Sequence, residues 1–270
     1  MRRMFPTIGS SPTSLLALMR SRARQQTAFA RLASGKRITK AADDAAGLSI
    51  SEAMRAIEAG LRQGSANVQD GISVTQIAEG GLSAIGDSLV RMRELAMQAQ
   101  NGTLSDTDRA AIQQEYDQLA AEVDRVAQST GFNGRALLNG DAAGGNGLRI
   151  EDGTGGGATV LSIGDHRAAT LGIAGRDVGD ASTLDALDAA LDRVSSSRGQ
   201  LGAMTDLLES RGRQIGNRVE NLAASRSRIA DVDVALEASV LARERIIGEG
   251  ALAMLAKRRL EPGSFLRLLV

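Results

Sequence analysis

Hydrophobic residues fall seven apart along the last third of this chain. Leu187, Val194, Leu201, Leu208, Ile215, Leu222, Ile229 and Leu236 occupy eight consecutive positions of that period, and none of them is even alanine. A seven-residue period draws one apolar stripe down an α-helix and presses it against another helix. No proline lies between Pro12 and Pro262 to interrupt it. The pattern predicts one helix over residues 184–241, about 85 Å long at 1.5 Å per residue. Such a length outruns the core of an ordinary compact domain and predicts a rod.

Similar stripes run through the first half. Residues 14–33 read as a helix that Ser34-Gly35 punctuates, since glycine accepts the left-handed conformation that ends helices. From about Asp44 to Gln100, Leu82, Ile85, Leu89, Met92, Ala96 and Ala99 alternate by three and four. Carried backward, that register puts Met54, Leu61 and Val68 at one seam position and Ile50 and Ile57 at the other. Gly64, Gly71 and Thr75 thin the seam and permit close approach of a neighbour. Asn101-Gly102 closes this helix. Ser105, with Asp108 three residues on, has the spacing of a capping box. Ile112, Tyr116, Leu119, Val123 and Val126 then repeat the pattern until Ser129-Thr130-Gly131.

Residues 139–182 change character, with glycines crowding the first half. Leu148–Glu151 and Thr159–Ile163 read as two short strands of a hairpin; a flexible linker is the competing reading. Ser182, followed by Asp185, is placed as the cap of the long C-terminal helix. The fold class is therefore mainly α: a long antiparallel helical rod, coiled-coil-like, with a small β-hairpin region at one tip. The division expected along the chain is 1–40 and 242–270 as an inner helical domain, 41–139 and 183–241 as the two halves of a rod, and 140–182 as the glycine-rich tip.

Composition narrows the function. Charged residues make up 24% of the 270 and the formal net charge is zero, so bulk charge does not steer this chain to nucleic acid. Aromatics are only Phe5, Phe29, Phe132, Phe265 and Tyr116, which suits thin helix–helix seams better than a thick core. The absence of cysteine excludes disulfides and thiolate chemistry. No apolar run approaches a membrane span. Basic Met1-Arg2-Arg3 and apolar Leu15–Met19 make a poor match to a cleaved signal, because Pro12, Arg20 and Arg22 crowd the short apolar run.

Candidate chemistry is sparse. His166, the single histidine, stands beside Asp165 in a loop and reads as a solvated surface residue. No cluster has metal-ligand spacing, and one histidine without a Gly-x-Ser-x-Gly turn makes no triad. Gly153–Gly157 lacks the lysine of a phosphate-binding loop. Asp43-Asp44 reads as a helix start, and Arg226 and Arg228 beside Ser227 as solvated charges. No catalytic residue, cofactor or metal is expected.

Several separate stretches, in order, resemble bacterial flagellin. They are Arg31–Ile38, Asp43–Gly47, Asp70–Ser73, Glu79-Gly80, Arg91–Ala96 and Phe132-Asn133-Gly134 followed by Leu137-Leu138. Toward the other end, Ala224–Ile229 followed by Asp231 and Asp233 matches as well. The resemblance covers about residues 30–139 and 184–240. It implies an inner helical pair from the two ends, an outer helical rod, and a minimal form without large inserted central domains. It also implies a secreted structural subunit of the flagellar filament, serving motility by self-assembly. Subunits of this family pass unfolded through a type III-like export apparatus, attended by an export chaperone. They polymerise under a cap protein beyond the hook–filament junction proteins, and their terminal segments (here 1–33 and 242–270) order on assembly. An innate-immune receptor surface carries over to Arg91, Leu95 and Glu115, all of the family's residue type.

The ends depart from the family pattern. Pro6 and Pro12 limit the first helix, Lys257-Arg258-Arg259 replaces a Gln/Asn-rich run, with Glu261 the nearby acid, and Val234 stands where tyrosine is usual. Divergent ends suit two alternatives: a flagellin homologue acting as a surface adhesin, or a hook–filament junction protein.

Overall fold

The computed structural model describes residues 12–155 and 158–267. Among the described residues, six α-helices and four short strands follow in chain order: α1 Pro12–Ser34, α2 Ala45–Ala99, α3 Asp106–Ser129, β1 Gly131–Phe132, β2 Arg135–Ala136, β3 Leu148–Glu151, β4 Ala158–Leu161, α4 Ala168–Leu171, α5 Ala181–Ala230 and α6 Val234–Arg267. The chain is mainly helical, as its patterning predicts. It divides into two compact units, one holding residues up to Ala56 and from Asn221 onward, the other Ile57–Glu220. The divisions fall inside α2 and inside α5.

In the first unit α1 packs against α6. Leu18, Ser21 and Ala28 are buried, with Gln25 half-buried, a three-four spacing of small and polar side chains that lets the helices close up. Ser21 Oγ and Gln25 Nε2 donate to the Glu244 carbonyl at 2.6 and 2.8 Å. Gly248 leaves room for both: a Cβ there would meet Gln25 Nε2 at 3.0 Å. Arg24 pairs with the buried Glu244 carboxylate at 3.1 Å.

The same unit breaks the long C-terminal helix. Gly35, at φ 67°, ends α1 and turns the chain toward the end of α5. Arg37 N–H donates to Ala230 O at 2.7 Å, its guanidinium donates to Ile229 O at 2.6 Å, and Val232 N–H donates to Gly35 O at 3.0 Å. These donors satisfy the carbonyls at the end of α5 in place of a further turn. Asp233 Oδ1 then accepts from the N–H groups of Ala235 and Leu236, both at 3.0 Å, and starts a new helix. The single helix expected over 184–241 is thus two. Leu236 belongs to the second and is 63% exposed, off the stripe that its spacing suggested.

In the second unit α2 and α5 run antiparallel. Val68 lies near Gly212, Gly71 near Leu208, and Gly86 near Val194. Between them Thr205 Oγ1 donates to Thr75 Oγ1 at 3.0 Å. Each step along α2 is matched by an equal step back along α5. The buried α2 face carries Leu61, Val68, Thr75, Leu82, Leu89 and Ala96, with Ala78, Ile85, Met92 and Ala99 beside them. Ile50 and Ile57, expected at the second seam position, are exposed instead. The period drifts between 3.5 and 3.6 residues per turn, so a register carried back thirty residues rotates off the buried face.

Helix α3 begins on the capping box that its sequence suggests, Ser105 and Asp108 bonding reciprocally. It buries Ile112, Tyr116, Ala120, Val123 and Ala127, whereas Leu119 and Val126 are only half-buried. Tyr116 Oη donates to Ile173 O at 2.9 Å, joining α3 to the segment after α4. Asn133 (φ 49°) and Gly134 (φ 78°) form the two-residue turn of the β1–β2 hairpin, the conformation that Asn-Gly favours. β3 and β4 form the second hairpin, with Leu148 facing Leu161 and Ile150 facing Thr159. The second strand ends two residues sooner than the alternation suggested. Helix α5 starts at Ala181, one residue before Ser182, because Asp180 Oδ1 takes the Ser182 N–H at 2.9 Å and so holds the capping role.

Candidate assembly surface

The heptad residues divide by unit. Leu187, Val194, Leu201, Leu208 and Ile215 are buried in the second unit. Leu222 and Ile229, in the first, are half-buried, and Leu236 is exposed. The first five thus serve the interior of one chain. Exposed large apolar side chains occur in both units, Ile77, Val90, Met97 and Leu207 among them in the second, but most of those described belong to the first.

The apolar surface of the first unit is built by the terminal helices. One buried seam uses up the inward faces of α1 and α6. Leu15, Leu16, Met19 and Phe29 on α1, and Leu236, Ile246, Ile247, Leu252 and Met254 on α6, stay exposed. Scattered exposed leucines are ordinary, but several large apolar groups on two paired helices form a surface suited to packing against another protein. Helix α1 has no acidic residue. Its Arg24 and Arg31 take their partners, Glu244 and Glu237, from α6. The basic cluster Lys257-Arg258-Arg259 and its neighbour Glu261 lie outside the described side chains.

Arg91 and Glu115 come together on the second unit. The Arg91 guanidinium bonds Glu115 at 2.7 Å and Glu94 at 3.1 Å. The bonds from Glu115 and then Glu94 raise the pKa of Arg91 above its ordinary value. Leu95 is separated from them by burial: it is 1% exposed and belongs to the interior face of α2.

Asp152 and His166 are buried polar groups whose burial the sequence did not signal. Asp152 follows β3 in the glycine-rich stretch and is buried. Burial alone would raise its pKa, but the Thr154 hydroxyl and amide and the Arg211 guanidinium outweigh that and leave it lowered. Arg211 reaches it from α5 at 3.0 Å. His166, expected at the surface, is 3% exposed, because its backbone N–H is tied to Leu138 O at 2.8 Å and draws the loop inward. An Asp or His within a polar loop carries no local signal of burial. The partners are 59 and 31 residues away.

Among the described residues no group of three His, Cys, Asp or Glu side chains is placed to hold a metal ion. No described helix is long and apolar enough to cross a membrane. Seams, caps and an uncovered apolar helix pair define a helical structural protein that works by packing against others.

Comparison with known proteins gives that class its family. The model for the bacterial flagellin N-terminal helical region matches residues 10–143, and that for the C-terminal helical region matches residues 184–269. A flagellin of Halalkalibacterium halodurans is 41% identical over 251 residues, covering 90% of this chain and 91% of the relative. The flagellin of Bacillus subtilis is 36% identical, covering 95% and 96%. The crystal structure of Bacillus cereus flagellin is 29% identical with a TM-score of 0.50, covering 60% of this chain and 94% of that one. The chain belongs to the bacterial flagellin family. It is a structural subunit of the flagellar filament, and nothing in the fold or among these relatives favours the adhesin reading.

Proposed function

We propose that the subunit is exported, joins the growing end of an extracellular filament, and is held there through the exposed faces of α1 and α6. The uncovered apolar residues of this pair carry the reading, with a second copy of the chain as the covering partner. Residues 1–40 and 242–270 then act as the inner assembly element, 41–139 and 183–241 as the outer helical part, and 140–182 as its variable end. Leu187, Val194, Leu201, Leu208 and Ile215 keep the outer part in shape for assembly, while Leu222, Ile229 and Leu236 lie where subunits meet. Export through a type III-like apparatus, an export chaperone, the cap protein and the hook–filament junction proteins are the partners this life history requires. The Arg91–Glu115 pair is the part of the second unit that an innate-immune receptor would read.

The experiment is seeded growth. Full-length chain mixed with short flagellar seeds should lengthen them into sedimenting tubes seen by electron microscopy. A chain lacking residues 242–270 should keep the helical circular dichroism of α2, α3 and α5, lose that of the α1–α6 pair, and leave the seeds unextended. Filaments from that truncation would overturn the assignment of α6 as the assembly element.

A further inference from the structure

One buried group belongs neither to the helical seams nor to the assembly surface. The His166 ring makes two contacts, Nδ1 at 2.9 Å from Gly164 O and Nε2 at 2.9 Å from Ser197 Oγ on α5. A carbonyl oxygen only accepts, so Nδ1 carries the proton. In the neutral ring Nε2 is then a bare lone pair, and the Ser197 hydroxyl donates to it. Burial lowers the pKa of the ring, against the pull of the Gly164 bond and Asp165, so the lone pair is available at neutral pH.

Ser197 also faces open space. With Gly164, Leu201 and Met204 it lines a cavity of about 260 Å³, where Ser162 and Gln200 add polar groups. A serine hydroxyl bonded to a base whose other nitrogen is oriented by a third group is the arrangement that activates a nucleophile.

We propose that Ser197 is a nucleophilic modification site that accepts a short acyl group from an activated ester. Ser197 Oγ attacks the ester carbonyl and passes its proton to His166 Nε2. The bond to the leaving oxygen breaks, and that oxygen takes the proton back from Nε2. The product is an O-acyl serine and a free alcohol, with no change of oxidation state. Two features make this a single modification rather than a turnover site. A backbone carbonyl stands where a carboxylate would stabilise the imidazolium. The Ser197 N–H lies within α5, engaged in the helix, so it offers no oxyanion donor.

The test treats the folded full-length chain with p-nitrophenyl acetate and maps acetyl groups by peptide mass spectrometry. Ser195 and Ser196, exposed on the same helix, are internal controls. Ser197 should label well ahead of both. His166→Asn keeps a donor for Gly164 O but offers no base, and should slow Ser197 labelling about a hundredfold. Equal labelling of the three serines, or unchanged Ser197 labelling in His166→Asn, would overturn the proposal. If that variant does not fold, the pH profile of the unaltered chain decides. A Ser197 rate that levels off once the lone imidazole is neutral supports the proposal, and a rate that climbs in proportion to hydroxide overturns it.

Discussion

Gly64 offers a sharp test of how the second hairpin is seated. It lies inside α2, where glycine to alanine ordinarily stabilises a helix by about 0.5–1 kcal/mol. A Cβ at Gly64, however, would fall 2.0 Å from Asp152 O and 2.8 Å from Gly153 N, both backbone atoms. The loop after β3 must therefore retreat. Two bonds holding that loop lie within a residue of the displaced carbonyl: Asn67 Nδ2 to Glu151 O at 2.9 Å and Arg211 to Asp152 at 3.0 Å. Overpacking costs about 1–3 kcal/mol, and an orphaned buried polar group about as much again. Set against the helix gain, Gly64→Ala should lose about 2–4 kcal/mol. Gly60→Ala, one turn earlier, meets no atom within 4 Å and should gain up to about 1 kcal/mol. Urea unfolding followed by circular dichroism measures both. The contrast in sign is the prediction; two variants shifting in the same direction would refute the close backbone contact.

Leu208→Ala should cost about 2–5 kcal/mol in the same assay, whereas Leu236→Ala should leave the monomer's midpoint unchanged and weaken seeded growth; comparable destabilisation by both would restore a single stripe. Tyr116→Phe removes the donor to Ile173 O and should cost about 1 kcal/mol, read as a lower melting temperature, and an unchanged melt would argue against that bond. In acid, the bonds from Arg167 hold Asp165 at about 2, below its ordinary value of 3.8. Its contribution is fully present above pH 3.8 and is lost as pH falls toward about 2, so Asp165→Asn should flatten the stability profile in that window. The lowered His166 adds a separate loss that begins as pH falls below 6.5. His166→Asn should remove that loss alone, and a profile that still bends there would contradict burial of the neutral ring.

What could be read from the chain was what repeats or acts locally. The heptads located α5, and Ser105 with Asp108 located the start of α3, because caps and stripes act within a few residues. Burial at a distance was not legible. Arg37 satisfies the carbonyls of Ile229 and Ala230 from 192 and 193 positions away, so nothing near Asp231 announced the break that removes Leu236 from the stripe. The same holds for Asp152, covered by Arg211, and for His166, drawn under Leu138. By itself the sequence determined helical content, the seam of the second unit and the family. The tertiary structure decided where the long helix stops, which polar groups are buried and which apolar faces stay uncovered. Hydrophobic period is a property of neighbouring residues, whereas each of those three outcomes depends on which distant segment supplies the partner.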